Sequence, residues 1–237
     1  ILGSSVVVLD VKDGAKNIRL GYAADLGRKN MPLLKNPVVP KGMDYLILES
    51  TYGNRLHAPI EEAKGKLRDA IVRTVERKGK ILIPSFTLER TQEVIYFLSQ
   101  LLKEDAIPNM PVYVDSPLAT DITDVFKCHA DYLNDKTNQA INSGDDPFAF
   151  LSLKFIRDQK ESKALNNDKR PMIIIAGSGM CEAGRILHHL KNNIEDSRNM
   201  ILVVGYMAQN TLGKRIVERM PFVRIFGVEY ELNAEVV

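Results

Sequence analysis

Five apolar runs in this chain end in short polar clusters that could do chemistry. Leu46-Ile47-Leu48 runs into Glu49-Ser50-Thr51-Tyr52-Gly53, Ile81-Leu82-Ile83 into Pro84-Ser85-Phe86, and Val112-Tyr113-Val114 into Asp115-Ser116-Pro117. Ile173-Ile174-Ile175 runs into Ala176-Gly177-Ser178-Gly179, and Val203-Val204 into Gly205-Tyr206. In open α/β sheets, ligands bind beyond the carboxyl ends of the strands. Several of these clusters also open a helical pattern, and a helix N-terminus with Gly and Ser offers backbone N–H groups to an anion. Any one of them reads as an ordinary cap or turn. Several on one sheet edge point to a phosphate-bearing ligand. Gly177-Ser178-Gly179 is neither a Walker loop, since no GKS or GKT follows, nor a GxGxxG dinucleotide fingerprint.

The titratable side chains add candidates. His188 and His189 are adjacent on a predicted helix, about 100° apart around its axis, so both cannot easily ligate one metal. The plainer reading is one packed and one exposed. The functional reading is a phosphate or base contact shared with Arg185. His129 and His57 read as surface residues. No HExxH or HxHxDH motif occurs, so the chain holds no complete metal site. Asp25 follows a strand and reads by default as a turn residue. Glu49 ends a strand expected to be buried, where a carboxylate needs a partner.

The elements that position these residues follow from hydropathy. A hairpin over 4–22 turns at Asp13-Gly14, a loop spans 23–40, and Tyr45–Leu48 is a short strand. From residue 60 helices and strands alternate: Ile60, Ala63, Leu67, Ala70, Ile71 and Val75 keep helical spacing, and Ile81–Pro84 is a strand. Further strands are predicted at 112–114, 153–156, 172–176 and 200–204, with helices between them. Residues 134–147 are rich in Asn, Asp and Gly and predict a loop with room for a helical turn. Residues 223–237 return to a β pattern. Such alternation argues a doubly wound, mostly parallel α/β sheet, here inserted between β-rich ends that meet in a separate layer.

Composition bounds the reading. The chain has 237 residues, 45% of them hydrophobic, too apolar for disorder. Its two cysteines form no CxxC pair, which fits a reducing cytosol and hence a cytoplasmic protein. No apolar run reaches 18 residues, so no membrane partner is expected. Net charge is only +2, which does not announce nucleic-acid binding. The charge is uneven, however: residues 101–150 hold nine acids and three bases, and 151–237 hold thirteen bases and ten acids. A polyanion would avoid the first stretch.

The chain resembles the metallo-β-lactamase-fold RNA-processing nucleases that carry a β-CASP cap. The resemblance rests on Ile1-Leu2-Gly3-Ser4, Ala24-Asp25-Leu26-Gly27, Glu49-Ser50-Thr51-Tyr52-Gly53, Ile83-Pro84-Ser85-Phe86 with Glu89-Arg90-Thr91-Gln92-Glu93, and Asp115-Ser116-Pro117-Leu118. It continues through Glu161–Asn166, Ser178–Cys181, Gly184–Lys191 and Thr211-Leu212-Gly213. It implies a parallel-sheet cap at 54–215 between a partial metallo-β-lactamase domain at 1–53 and its return strands at 216–237. It implies RNA as partner and two zinc ions that activate water for phosphodiester hydrolysis, and it is compatible with a homodimer. Asp25 matches the metal-bridging aspartate. Glu49 matches an acidic residue that orients a histidine near the leaving group. Ser178, Gly179, Arg185, His188 and His189 match a cap edge facing the RNA backbone. In the family the HxHxDH motif would precede residue 1 and two further histidine motifs would follow Val237. The expectation is therefore a segment of a zinc-dependent ribonuclease that lacks most metal ligands and is inactive alone. The alternatives are a catalytically inactive RNA- or partner-binding module and a small-molecule α/β protein.

Overall fold

The computed structural model of the chain describes residues 1–54, 56 and 59–237. His57, expected at the surface, lies outside the described residues. The N-terminal segment forms a hairpin of β1 (Val7–Asp13) and β2 (Lys16–Ala23), and β3 (Tyr45–Leu48) pairs parallel to β2. This small sheet leaves Val7, Leu9, Val11, Leu46 and Ile47 exposed.

The rest of the chain builds around a parallel sheet. In chain order come α1 (Ile60–Glu76), β4 (Ile81–Pro84), α2 (Arg90–Lys103), β5 (Val112–Val114), α3 (Pro117–Cys128) and α4 (Asp135–Asn142). Then follow β6 (Leu153–Phe155), α5 (Gln159–Asn167), β7 (Ile173–Ala176), α6 (Arg185–Asn193), β8 (Met200–Ile201) and α7 (Leu212–Val217). A hairpin of β9 (Phe222–Ile225) and β10 (Val228–Glu231) and a last strand, β11 (Glu235–Val236), complete the chain. The sheet order is β11-β8-β4-β7-β5-β6, with every pair parallel. The uninterrupted apolar runs follow from burial on both faces. Ile81, Ile83, Ile173 and Ile175 join Ile71, Leu98 and Phe126 on one side. Leu82, Ile174 and Ala176 join Ile186, Leu190 and Ile216 on the other. Successive strand residues point to opposite faces, so both helical layers are needed to cover them.

Local chemistry fixes the helix starts. Ser116 Oγ accepts the Ala119 N–H (3.2 Å), with Pro117 behind it in the first turn. Asp158 accepts from Lys160 and Glu161, and Thr211 from Lys214. Residues 134–147 contain α4 rather than a continuous loop. Asn134 caps it by accepting the Thr137 N–H at 2.9 Å, and its amide donates to the Pro32 carbonyl. The same residue types serve loops and caps, and the contact with the 32–34 segment selects the cap.

The C-terminal tail corrects one expectation. Residues 216–237 do not return to the layer formed by the N-terminal strands. β11 extends the large sheet beside β8, and the β9–β10 hairpin buries Val223 and Ile225 against α6 and α7. The open edge of β8 needs a partner, and the tail supplies it. Arg73 and Arg77 hold Glu235 at 2.9 and 2.5 Å. Among the described residues no helix is long and apolar enough to cross a membrane.

At the start of α2 the Glu93 carboxyl is almost fully buried and carries an acceptor oxygen without a partner among the described residues. Burial pushes its pKa up to about 6, against a partial offset from Arg90. A raised carboxyl pKa contributes stability below its unfolded value of 4.5, and that contribution is lost as pH rises through about 6. The shift corresponds to roughly 2 kcal/mol. Glu93→Gln cannot ionise. Urea titrations between pH 4 and 8 should show the variant gaining about 1–2 kcal/mol on the wild type across that window.

Candidate functional site

The carboxyl end of β5 carries Asp115, which is fully buried. Its Oδ1 accepts from Arg185 at 2.6 Å, and its Oδ2 accepts from Ser162 Oγ at 2.5 Å and His189 Nε2 at 2.6 Å. Four elements meet on this one carboxylate: β5, α5, α6 and, through Arg185, the end of β6. The Arg185 guanidinium also donates to the carbonyls of Ile156 (3.2 Å) and Arg157 (2.7 Å). His189 Nδ1 pairs with Asn166 Oδ1 at 3.0 Å, and Asn193 donates to the same oxygen. Burial alone would raise the Asp115 carboxyl. The three side-chain hydrogen bonds outweigh it and hold the carboxyl below the ordinary aspartate range.

This geometry corrects two readings. Arg185 faces inward and pairs with Asp115 rather than being held out for phosphate. Glu182, three residues earlier, accepts the Leu212 N–H. His189 is fully buried with both ring nitrogens engaged, so it cannot touch an RNA backbone. His188, one residue earlier, is exposed and lies against Phe226, with centroids 4.8 Å apart and ring planes tilted by 41°. The adjacent pair is split by helix geometry, one ring in the core and one outside.

The 177–184 turn lies between β7 and α6. Ser178 Oγ accepts from the amides of Glu182 (3.1 Å) and Ala183 (3.3 Å), and the Ser178 N–H donates to the Ala183 carbonyl (3.1 Å). Those groups organise the turn itself. Gly179 is buried under the Phe86 ring, where an added Cβ would stand 2.5 Å from a ring carbon. Only glycine admits that approach. Burial pushes the Cys181 thiol in the same turn up to about 12, which leaves it unreactive.

Asp25 and Glu49 sit at neighbouring strand ends of the small sheet, where Ala23 pairs with Leu48. The Asp25 carbonyl accepts from Ser4 Oγ, while its carboxylate is exposed and has no partner among the described residues. β3 is exposed rather than buried in this chain. The partner of Glu49 is local: its Oε2 accepts the Thr51 N–H at 2.8 Å, which lowers its pKa. Tyr52 then meets Tyr206 edge-on at 6.0 Å, joining this corner to the loop after β8. Tyr206 thus presents its ring to the segment that follows β3. His129 stands apart, exposed and edge-on to Tyr132. Among the described residues no group of three or more His, Cys, Asp or Glu is placed to hold a metal ion. The residues that sequence reasoning missed are Ser162, Asn166 and the partner role of Asp115. The usable signal was an aspartate at the end of a fully apolar strand, which must find a cation or donors when buried.

Residues 91–216 match the model of the Beta-Casp domain. A ribonuclease of Thermus thermophilus is 38% identical over 92% of this chain and 50% of its own length. A protein named RNase J-like from Methanocaldococcus jannaschii is 30% identical over the whole chain and 54% of its own length. The transcription termination factor FttA of Methanosarcina mazei is 31% identical over 91% of this chain and 34% of its own length. The chain thus spans between about a third and about half of the length of these relatives.

Removing one partner of a buried ion pair leaves the other charge uncompensated, a loss of about 3–5 kcal/mol. Arg185→Ala and Asp115→Asn should each lower unfolding free energy by about that amount. Their double variant should show a coupling energy of about 0.5–3 kcal/mol in denaturant titrations. Additive losses would mean that the two side chains act independently.

Proposed function

The chain belongs to the Beta-Casp domain family, and from that premise we propose that it forms the cap and flanking strands of a ribonuclease that hydrolyses RNA phosphodiester bonds. The observation that carries this reading is the meeting of two strand-end edges. Asp25 and Glu49 end neighbouring strands of the small sheet, and the Tyr52–Tyr206 contact sets that corner against the carboxyl edge of the large sheet. Hydrolysis adds water across a P–O bond: the water oxygen bonds to phosphorus, and the leaving oxygen takes a proton. The Thr51 amide keeps the Glu49 carboxylate ionised, so Glu49 suits orienting a proton-bearing histidine rather than donating a proton itself.

The proposal includes two zinc ions and cytoplasmic action on RNA in the longer protein. At this corner the described residues supply the carboxylates of Asp25 and Glu49 but no group of three or more possible ligands, which is too few to hold a metal pair. That inventory favours a second reading for the chain by itself, a module that holds RNA or a partner without cleaving it. Of the cap-edge residues, Ser178 and the exposed His188 are offered for RNA contact, whereas Gly179 is covered by the Phe86 ring.

Two measurements test this. Glu49→Gln in the full-length protein should lower kcat on an RNA oligonucleotide by about 100-fold or more with binding unchanged. Unaltered turnover would remove Glu49 from the mechanism. The 237-residue chain, dialysed and analysed for metal, should retain no zinc pair; close to two zinc ions per chain would overturn the ligand inventory.

A further inference from the structure

A cleft that neither Asp25 nor Glu49 lines lies on the α5–α6 side of the large sheet. It has a volume of about 630 Å³ and runs between α5, the start of α6 and the β9–β10 hairpin. Lys163, His188, Arg224 and Phe226 line it. Lys163 and Arg224 are exposed, and neither has an ion pair or side-chain hydrogen bond among the described residues. Glu229 lies opposite Arg224 in the hairpin register without pairing to it. The one acidic lining residue, Glu182, is engaged by the Leu212 amide.

The hairpin tip supplies the second observation. Ile225 pairs with Val228, so Phe226 and Gly227 form a two-residue turn, with φ of +50° and +80°. Those angles belong to a type I′ turn, whose first position favours Asn, Asp or Gly. A bulky ring there holds a strained backbone that stability does not reward. Phe226 is 54% exposed, so core packing does not explain it either. What the ring does is lie against His188, centroids 4.8 Å apart and planes tilted by 41°, at the mouth of a cleft lined by Lys163 and Arg224.

We infer that this cleft binds a nucleotide of single-stranded RNA, its base stacked on Phe226 and His188 and its phosphate held by Lys163 and Arg224. Stacking platforms beside unpaired cations are the general chemistry of single-strand binding. The inference rests on the RNA reading of the preceding subsection but adds a contact outside the hydrolytic corner.

The test uses the 237-residue chain, a fluorescein-labelled 12-nucleotide oligoadenylate and anisotropy titrations at several salt concentrations. Phe226→Asn suits the turn better, so its melting temperature should stay or rise while oligonucleotide affinity falls at least about fivefold. Phe226→Trp should keep the affinity. Arg224→Ala should reduce the salt slope by about one. Unchanged affinity in Phe226→Asn overturns the site and leaves the hydrolytic reading standing, because that reading is judged by Glu49→Gln turnover. A wild-type chain that binds no oligoadenylate also overturns it. So does adenosine monophosphate that binds as tightly as the oligonucleotide, which would make the ligand a free nucleotide. If Phe226→Asn fails to fold, Lys163→Glu on α5 decides, and unchanged affinity there overturns the inference.

Discussion

The buried carboxylate of Asp115 is the constraint on which the rest of this structure leans. A carboxylate without water must be answered by charge and hydrogen bonds. Here Arg185, Ser162 and His189 answer it together, within 2.6 Å. Each donor sits on α5 or α6, and Arg185 also ties down the carbonyls that follow β6. The carboxyl edge of the sheet is therefore held from several elements at once. The turn that precedes α6 inherits its position from this anchor, since Arg185 is the first residue of that helix.

The anchor works because the sheet around it is dry on both faces. Ile173 to Ala176 is fully buried, and strands on either side bury their own runs in two separate clusters. Hydrogen bonds in such surroundings are stronger than in water, and an unmet polar group is more costly. The same surroundings explain the inert Cys181 thiol and the raised Glu93 carboxyl. Desolvation acts on all these groups alike, and their partners decide the outcome: Asp115 has three strong donors, Glu93 has Arg90, and Cys181 has none that stabilises its thiolate.

Functional surface is divided accordingly. Groups that look reactive in the sequence but lie on the inner faces of α5 and α6 hold the cap together. Groups on the opposite faces, including His188 and Lys163, remain open to solvent. The small N-terminal sheet differs in kind: Asp25 and Glu49 sit on exposed strand ends, fixed by local backbone contacts from Ser4 and Thr51. A burial-based argument from sequence overstated the isolation of Glu49, because β3 has an exposed face on each side here.

Much of the fold was legible in the sequence. The unbroken apolar runs at 81–83 and 173–175 require a parallel sheet covered on both faces, and Ser116-Pro117 and Thr211 mark helix starts by capping chemistry alone. The helical spacing from residue 60 and the first hairpin follow from local rules of the same kind, although Asp13 pairs with Lys16 and the two-residue turn is Gly14-Ala15 rather than Asp13-Gly14. The tertiary structure decided what local rules cannot reach. It placed the C-terminal tail on the edge of β8, since an open strand edge takes whichever segment the chain brings near. It turned Asn134 into a cap through a contact with Pro32. Above all it chose the partner of Arg185. Asp115 lies 70 residues from Arg185 and 74 from His189, and they meet because β7 stands between β4 and β5. Hydrogen bonds and buried ion pairs act over a few ångströms, so sequence separation carries no information about them until strand order is set.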